Sequence, residues 1–175
     1  MKKILFLSAS VLFLFSCKNN SEKMPNENSS KKVELPLDVM YKGTASIGNP
    51  ENMVTVMNWN KNMIAGDVAA AGTLLADSLT VTLADGMHVE LVHDSAIAFL
   101  NGWRSSMDSA KQTYTAIIAV DNKDAGDEWV IQWIKESYFY KTGKSETHML
   151  NESYRLVNGK IREISQYARA VPATK

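Results

Sequence analysis

The fold of this 175-residue chain is decided by the stretch Tyr154-Arg155-Leu156-Val157-Asn158-Gly159-Lys160-Ile161. Asn158-Gly159 at its centre is the strongest hairpin signal in the sequence, because a two-residue type I′ turn needs positive φ at both positions. Runs of β-branched and aromatic residues predict strands on both sides of this turn and two further strands before them. The predicted strands cover 113–120, 129–140, 146–157 and 161–168. Together they predict a four-stranded antiparallel meander.

Helices are predicted in the first half of the domain. Asn49 is placed to cap a first helix, and Pro50 fits the first helical position, where its missing N–H costs nothing. Gly66 is expected to end this helix, and Asp67 is expected to cap a second one. Apolar residues at helical spacing, among them Trp59, would face the core.

A short strand is predicted over 79–83, after the second helix. The polar stretch that follows contains His88 and His93 and is predicted to be a connecting loop. A third helix is expected after it, with Ser95 or Asp94 as its cap. Three helices and one early strand thus precede the meander. This order predicts an α+β fold in which three N-terminal helices pack on a curved, mostly antiparallel sheet.

This order of elements resembles the NTF2-like superfamily, in particular its SnoaL-like and ketosteroid-isomerase-like branches. The resemblance covers Asn49 to Arg169 and depends on these motifs in this order: Gly66-Asp67, Leu75-Ala76-Asp77-Ser78-Leu79-Thr80-Val81, Asp85-Gly86 and the hairpin around Asn158-Gly159. It implies a cone-shaped fold, in which a bent sheet wraps around helices and leaves an apolar pocket at the wide end. Family members include isomerases, cyclases, hydrolases and non-catalytic binding modules, so the fold does not decide the function.

The resemblance allows the isomerase mechanism to be tested residue by residue. That mechanism needs a carboxylate base, a tyrosine and a protonated carboxylic acid. The base position falls on Leu83, the tyrosine position on Trp59 and the acid position on Glu152. Leu83 cannot take a proton, and the indole of Trp59 only donates a hydrogen bond. Proton transfer of the ketosteroid type is therefore not expected, although a one-residue slip would bring Asp85 near the base position.

The register of the meander is predicted from two turns, Thr142-Gly143 and Asn158-Gly159, each taken as a two-residue turn. Alternation along the strands then assigns one face of the sheet to the helices and the pocket. The predicted pocket or ligand-binding residues on this face are Trp133, Lys135, His148, Glu152, Ser165 and Tyr167, with Trp59 added from the first helix.

Glu152 is predicted to be the polar centre of an apolar pocket. A buried carboxylate must be paired, hydrogen-bonded or protonated. One alternative is structural, with Lys135 or Ser165 as the partner of Glu152. The other is that Glu152 is a ligand-binding or acid–base group, in which case Glu152→Gln is expected to abolish ligand binding or activity while the fold is kept.

The histidines give weaker signals. His148 is expected near the open end of the pocket face, either as a general base or as a rim residue without a partner. His88 and His93 have acidic neighbours, but their spacing matches no metal-ligand pattern. Neither a Gly-x-Ser-x-Gly elbow nor a glycine-rich phosphate loop occurs. We therefore expect no metal and no cofactor.

The opposite face of the predicted sheet mixes apolar and polar residues. Its members are Val130, Gln132, Ile134, Tyr138, Met149, Asn151, Ser153, Arg155 and Ile164. This mixture is too apolar for a fully hydrated face and too polar for a core. It fits a homodimer interface, which the resemblance implies for this sheet.

The N-terminus predicts export. Met1-Lys2-Lys3 and an apolar run over 4–15 form a secretory signal peptide, and the run is shorter than the about 20 residues of a membrane span. Leu14-Phe15-Ser16-Cys17 resembles the lipobox of bacterial lipoproteins, which implies cleavage before Cys17 and a lipid on its sulfur. Lys18 resembles the sorting position of lipoproteins that reach the outer membrane of Gram-negative bacteria, so the domain is expected to face the periplasm or the cell exterior.

The predicted organisation is a signal peptide over 1–16, a polar linker over 17–48 and one domain over 49–172. The chain has 19 basic and 19 acidic residues, and loss of Lys2 and Lys3 leaves 17 against 19. Without a basic patch, a nucleic-acid partner is not expected. The predicted function is a membrane-tethered, non-catalytic module that binds a small apolar ligand; the alternatives are a cofactor-independent SnoaL-type isomerase, cyclase or hydrolase, and a scaffold protein.

Overall fold

The computed structural model describes residues 45–123 and 125–171. The predicted signal peptide, Cys17 and the predicted linker up to residue 44 lie outside these residues. The described chain forms three helices and seven strands in one domain, with these bounds: β1 Ala45–Ile47, α1 Pro50–Ala65, α2 Val68–Gly72, β2 Leu75–Thr82, β3 His88–Val92, α3 His93–Ser105, β4 Met107–Asn122, β5 Asp127–Tyr140, β6 Ser145–Val157 and β7 Lys160–Ala170.

The seven strands form one sheet in the order β1-β4-β5-β6-β7-β2-β3. β4 to β7 are the predicted meander, in which each strand pairs with the next in the antiparallel direction. β2 runs parallel to β7, and β3 pairs antiparallel with β2 at one edge. The predicted α+β fold with a mostly antiparallel sheet is therefore confirmed.

The sequence signals at the ends of α1 and α2 act as predicted. The side chain of Asn49 accepts a hydrogen bond from the backbone N–H of Glu51 at 3.0 Å, and Pro50 is the first helical residue. Gly66 ends α1 with a φ of 82°, a left-handed conformation that glycine adopts without steric cost. The Asp67 side chain then accepts from the backbone N–H of Ala70 at 2.9 Å, which caps α2.

Arg104 in α3 attaches the end of α1 to the start of β4. Its guanidinium donates to the carbonyl oxygens of Met63, Ile64 and Met107 at 3.0–3.1 Å. Carbonyl groups at the end of a helix have no partner within the helix and carry partial negative charge. One cationic side chain therefore satisfies the end of α1 and fixes α3 beside it.

The helices pack on one face of the sheet, called here the concave face. In β6, Leu150, Tyr154 and Leu156 are buried on this face at alternate positions, as the sequence predicts. The core that they share with the helices includes these buried residues: Val56, Trp59, Met63, Leu79, Leu100, Val130 and Ile161. The other side, called here the convex face, carries the exposed side chains of the meander.

The β5–β6 hairpin corrects the predicted register. Its loop has three residues, 141–143, because the backbone N–H of Tyr140 donates to the carbonyl oxygen of Lys144 at 2.9 Å and Gly143 has a φ of 82°. A turn followed by a left-handed residue is a common three-residue hairpin loop. The predicted two-residue turn is therefore wrong, and Gln132 rather than Trp133 lies opposite Glu152.

The β6–β7 hairpin has the predicted turn and an unpredicted bulge. Asn158-Gly159 adopts φ angles of 52° and 71°, as a type I′ turn requires. The pairing then shifts by one residue, so that Arg162 is an extra residue in β7. A bulge of this kind moves every later side chain of the strand to the other face. As a result, Glu152 lies opposite Gln166 and not opposite Ser165.

Three local predictions also differ from the structure. β1 lies at the end of the range predicted as linker, where it pairs with the far end of β4. His88 belongs to β3, an edge strand with only alternate residues half-buried, and not to a connecting loop. α3 begins at His93 directly after β3, so neither Ser95 nor Asp94 caps it, and Val92 at the cap position offers no side-chain bond. No helix within residues 45–123 and 125–171 is both long and apolar enough to cross a membrane.

Candidate small-molecule site

A cavity lies between α1, α3 and the concave face of the sheet. The volume open to the centre of a water molecule is about 90 Å³, and the whole empty space, with the open mouth and the solvent in it, is about 630 Å³. Apolar and aromatic side chains form most of its lining: Trp59, Met63, Val81, Leu83, Phe99, Leu100, Trp103, Tyr138 and Ile164. The remaining lining residues are polar: Asn60, Glu136, Glu152 and Gln166. A few polar groups in an apolar concavity are the usual composition of a small-molecule site.

Aromatic rings line the cavity at two places. Trp59 from α1 packs edge-on against Tyr154, with ring centroids 5.8 Å apart. Trp103 from α3 makes the same kind of contact with Tyr138, at 5.7 Å and an interplanar angle of 83°. Trp103 is 38% exposed, whereas Trp59 is buried. Trp103 therefore stands where the cavity meets solvent, and Trp59 belongs to its interior.

Glu152 is buried and receives hydrogen bonds at both carboxyl oxygens. Its Oε2 accepts from the amide of Gln132 at 2.5 Å and from the hydroxyl of Tyr154 at 2.8 Å. Its Oε1 accepts from the amide of Gln166 at 2.9 Å. Burial and the charge of Glu152 raise the pKa of Tyr154 well above its usual range, so this hydroxyl stays a neutral donor. The buried carboxylate is thus satisfied by side chains of three strands.

Asn60 extends this set of hydrogen bonds to α1. Its amide donates to Gln132 Oε1 at 3.0 Å and to the hydroxyl of Tyr114 at 2.9 Å. Gln132 is fully buried, and its amide orientation is fixed because its oxygen accepts from Asn60 while its nitrogen donates to Glu152. We call this set the inner network; its members are Asn60, Tyr114, Gln132, Glu152, Tyr154 and Gln166.

Glu136 is the second carboxyl in the cavity, and it has far fewer partners. It is only 8% exposed, and its Oε2 accepts a hydrogen bond from the hydroxyl of Tyr138 at 2.5 Å. Its other oxygen accepts no hydrogen bond from the residues that the structure describes. Burial, and then the charge of Glu152, raise the pKa of Glu136 from 4.5 to about 7, against the opposing effect of the Tyr138 hydrogen bond.

Trp59 carries a further polar group without a partner. Its indole N–H is buried and donates to no residue within 45–123 and 125–171. Buried N–H groups are nearly always hydrogen-bonded in folded proteins. The lining residues thus include Trp59, with a buried unpaired donor, and Glu136, whose second oxygen has no partner among the described residues and is accessible from the cavity.

The structure separates the predicted site residues into two groups. Glu152 and Trp59 line the cavity, together with Leu83, so the three positions aligned with the isomerase mechanism meet in one site. His148 lies on the same face of β6, where its ring is 6.0 Å from that of Tyr138 and its Nε2 is 3.4 Å from Glu146 Oε2.

Four predicted pocket residues lie on the convex face, which corrects that part of the prediction. They are Trp133, Lys135, Ser165 and Tyr167. Trp133 and Lys135 are misplaced because of the three-residue loop, and Ser165 and Tyr167 because of the bulge at Arg162. Neither Lys135 nor Ser165 is therefore the partner of Glu152.

The same shift corrects the predicted dimer face. Several of its residues in fact line the concave face, namely Val130, Gln132, Ile134, Tyr138 and Ile164, and four lie on the convex face as predicted, namely Met149, Asn151, Ser153 and Arg155. A second concavity, on the convex face, is lined by residues that include Trp133, Met149, Asn151 and Tyr167.

The site residues that the sequence reading missed are Gln132, Glu136 and Gln166. Gln132 and Glu136 lie on the same face of β5 as the buried residues Val130 and Ile134. The sequence shows this two-residue period, but the period alone does not tell which of the two faces is buried. The signal that would have found them is Gly143, because a left-handed glycine at the end of a three-residue loop fixes the other register.

The remaining histidines bond locally. Thr82 Oγ1 lies 2.9 Å from His88 Nδ1, and His93 Nε2 lies 3.1 Å from the carbonyl oxygen of Gly72, a contact that raises the pKa of His93. No group of three or more potential metal ligands comes together within residues 45–123 and 125–171.

No protein-family model and no curated protein sequence matches this chain. Its fold is similar to that of an LEH-like epoxide hydrolase of M. tuberculosis, with a TM-score of 0.58 and 12% identity over 69% of this chain and 84% of that one. It is also similar to an NTF2-like protein of unknown function from Cytophaga hutchinsonii, with a TM-score of 0.50 and 21% identity over 66% of this chain and 97% of that one.

A third similar structure is a protein of ketosteroid-isomerase-like fold from Catenulispora acidiphila, in complex with trimethylamine. Its TM-score is 0.53, with 16% identity over 65% of this chain and 83% of that one. Identities of this size are evidence of a shared fold and of nothing finer. The chain thus has the NTF2-like fold that its sequence motifs predict.

Proposed function

We propose that this domain binds a small, mostly apolar molecule in the cavity between α1, α3 and the concave face. One observation carries the proposal: an aromatic and apolar lining surrounds Glu136, a buried carboxyl with an oxygen that no described residue contacts by a hydrogen bond. This oxygen is not among the fully buried unpaired atoms, so it is accessible from the cavity. A ligand that donates to Glu136 would gain a hydrogen bond at this oxygen, and the aromatic walls would bury the rest of the ligand.

Binding without catalysis is favoured by the residue types at the aligned positions. Leu83 occupies the base position and takes no proton. Glu152, at the acid position, already accepts hydrogen bonds at both oxygens from the protein itself. A group whose partners are all internal has little capacity left for a substrate.

The test is native mass spectrometry of the protein purified from its own host. A retained small molecule is expected with the wild-type chain. Leu83→Trp, which fills the cavity, is expected to lose it, whereas Ile118→Trp on the exposed convex face keeps it. Wild-type protein without any bound molecule, or equal retention in Leu83→Trp, would contradict the proposal.

A second candidate function is proton transfer by Glu136, which one observation favours. A pKa of about 7 is close to the value that suits a general acid or base at neutral pH. Under this alternative, the retained molecule exchanges a carbon-bound hydrogen in D₂O, and Glu136→Gln abolishes the exchange while binding persists. The absence of exchange in the wild-type protein would leave the binding module as the function.

The location of the domain belongs to the same proposal. Acylation of Cys17 would tether it to the outer membrane, facing the periplasm or the cell surface, since two or more acyl chains give a stable anchor. Metabolic labelling with an alkyne fatty acid is expected to mark the wild-type chain and not Cys17→Ser. Label on both, or on neither, would contradict the lipid anchor.

We also propose that two copies of the chain form a homodimer through the convex face. Ile118, Trp133 and Tyr167 are exposed there by 41%, 38% and 70%. Exposed apolar groups on one sheet face are typical of an interaction surface. Light scattering at micromolar concentration is expected to give a dimer mass for the wild-type chain and a monomer mass for Trp133→Lys; a monomeric wild-type chain would contradict it.

A further inference from the structure

We propose that the ligand of this cavity is an organic cation, a small apolar molecule with a protonated amine. This inference rests on the proposed function and adds the charge of the ligand to it. It follows from three observations. The lining has a net negative charge, it has aromatic rings near Glu136, and the nearby cation, Arg104, already donates hydrogen bonds to backbone carbonyl groups.

The charged side chains that line the cavity are all acidic. Glu136 and Glu152 both line the cavity, and no Lys, Arg or His is among the residues that line it. Arg104, on the neighbouring part of α3, donates to three backbone carbonyl oxygens at the end of α1 and the start of β4. An anionic ligand would be repelled by the ionised carboxyl groups of the lining, because charges in a poorly hydrated cavity are weakly screened.

The rings around Glu136 suit a cation. Tyr138 donates its hydroxyl to Glu136, and Trp103, also in the lining, packs edge-on against the ring of Tyr138. Cations are attracted to aromatic faces, and the attraction grows as water is excluded. Neutral donors gain only the hydrogen bond, whereas an ammonium group gains the hydrogen bond, the ring attraction and the charge pairing.

The two carboxyls make the preference for a cation dependent on pH. The titratable groups that face Glu136 are Tyr138 and Tyr140 on its own strand, Glu152, Tyr154 and His148 on β6, and Tyr114 on β4. Burial and the charge of Glu152 hold the pKa of Glu136 at about 7. A bound cation favours the ionised carboxyl, so protons and the cation compete, and binding is weaker at low pH.

The experiment compares 2-phenylethylammonium with 2-phenylethanol, two soluble probes of similar size that differ in charge. Titration calorimetry is performed at pH 8 and pH 5.5 on the wild-type chain, on Glu136→Gln and on a control, Asp108→Asn, whose carboxyl is exposed on β4. At pH 8 the wild-type chain is expected to bind the ammonium probe at least about ten-fold more tightly than the alcohol.

The expected ten-fold preference falls at pH 5.5 and is lost in Glu136→Gln, while Asp108→Asn behaves as the wild-type chain does. Equal affinity for the two probes, or tighter binding of the alcohol, would overturn the charge inference and leave the binding module intact. A preference that persists in Glu136→Gln would also overturn it. Failure of both probes to bind at millimolar concentration would overturn the binding module itself.

Discussion

Glu152 and Glu136 line the same cavity and are both buried, and they differ in the number of donors that reach them. Gln132, Tyr154 and Gln166 donate to Glu152. Among residues 45–123 and 125–171, only Tyr138 donates to Glu136. The difference separates two uses of a buried carboxyl. One is a structural group that organises side chains from three strands; the other is a group with an oxygen available to a ligand.

The comparison also bears on how the cavity responds to pH. Burial favours the neutral form of a carboxyl group. Burial raises the pKa of Glu136 to about 7, and the charge of Glu152 adds to this effect, against the opposing effect of the Tyr138 hydrogen bond. The hydrogen bonds of the inner network hold Glu152 in place, and the charge of Glu152 raises the pKa of Glu136.

The largest effect is expected from Glu152→Ala. This change leaves the donors of Gln132, Tyr154 and Gln166 without an acceptor in a buried site, and is expected to lower the free energy of unfolding by about 3–5 kcal/mol. Glu152→Gln keeps an acceptor oxygen and is expected to cost less than half as much. Urea unfolding with circular dichroism measures both. Equal and small losses would show that the inner network is not structural.

The next effect concerns Glu136 and pH. Since its pKa is raised from 4.5 to about 7, the folded chain binds this proton more tightly than the unfolded chain does. The resulting stabilisation is complete below pH 4.5 and is lost as the pH rises through 7, by about 3 kcal/mol in total. Between pH 5.5 and pH 8, the free energy of unfolding of the wild-type chain is expected to fall by about 2 kcal/mol from this group.

Glu136→Gln is expected to remove this part of the pH dependence and to be the more stable chain at pH 8. The measurement is urea unfolding at both pH values. Asp108→Asn is the matched control, because it replaces an exposed carboxyl on the same sheet and is expected to keep the wild-type pH dependence. Parallel profiles for the wild-type chain and Glu136→Gln would contradict the assignment of the raised pKa to Glu136.

Of these two carboxyls, the sequence predicted that Glu152 lines the pocket and did not predict Glu136. The helix ends, the meander and the face that holds Glu152 were predictable, because Asn49, Gly66 and Asn158-Gly159 are strong local signals. The partners of Glu152 were not predictable from alternation alone. A one-residue difference in the β5–β6 loop and one bulge at Arg162 exchange the faces of two strands.

The physical reason is that the period of a strand is two, so a single extra residue moves all later side chains to the other face. The two-residue pattern of a strand does not by itself give the position of a bulge. β3 was missed for a related reason: an edge strand with alternate residues half-buried resembles a polar loop. The site was thus predicted at Glu152 and Trp59 and missed at Glu136.

The smallest effect is expected from Tyr114→Phe, which removes a hydroxyl from the outer edge of the inner network. The Asn60 amide then loses one of its two acceptors and keeps the oxygen of Gln132. The expected loss is about 1 kcal/mol of unfolding free energy, the usual value for one neutral hydrogen bond.

The pH dependence of this loss of stability distinguishes the inner network from Glu136. In the part of the chain that the structure describes, the Tyr114 hydroxyl bonds to neither carboxyl. Burial raises its pKa above 10.0, so it stays neutral across the range from pH 5.5 to pH 8. Tyr114→Phe is therefore expected to lower stability equally at both pH values, measured by urea unfolding. A loss confined to pH 8 would mean that this hydroxyl acts on the charge of Glu136, and that the inner network and Glu136 form one titrating unit rather than two.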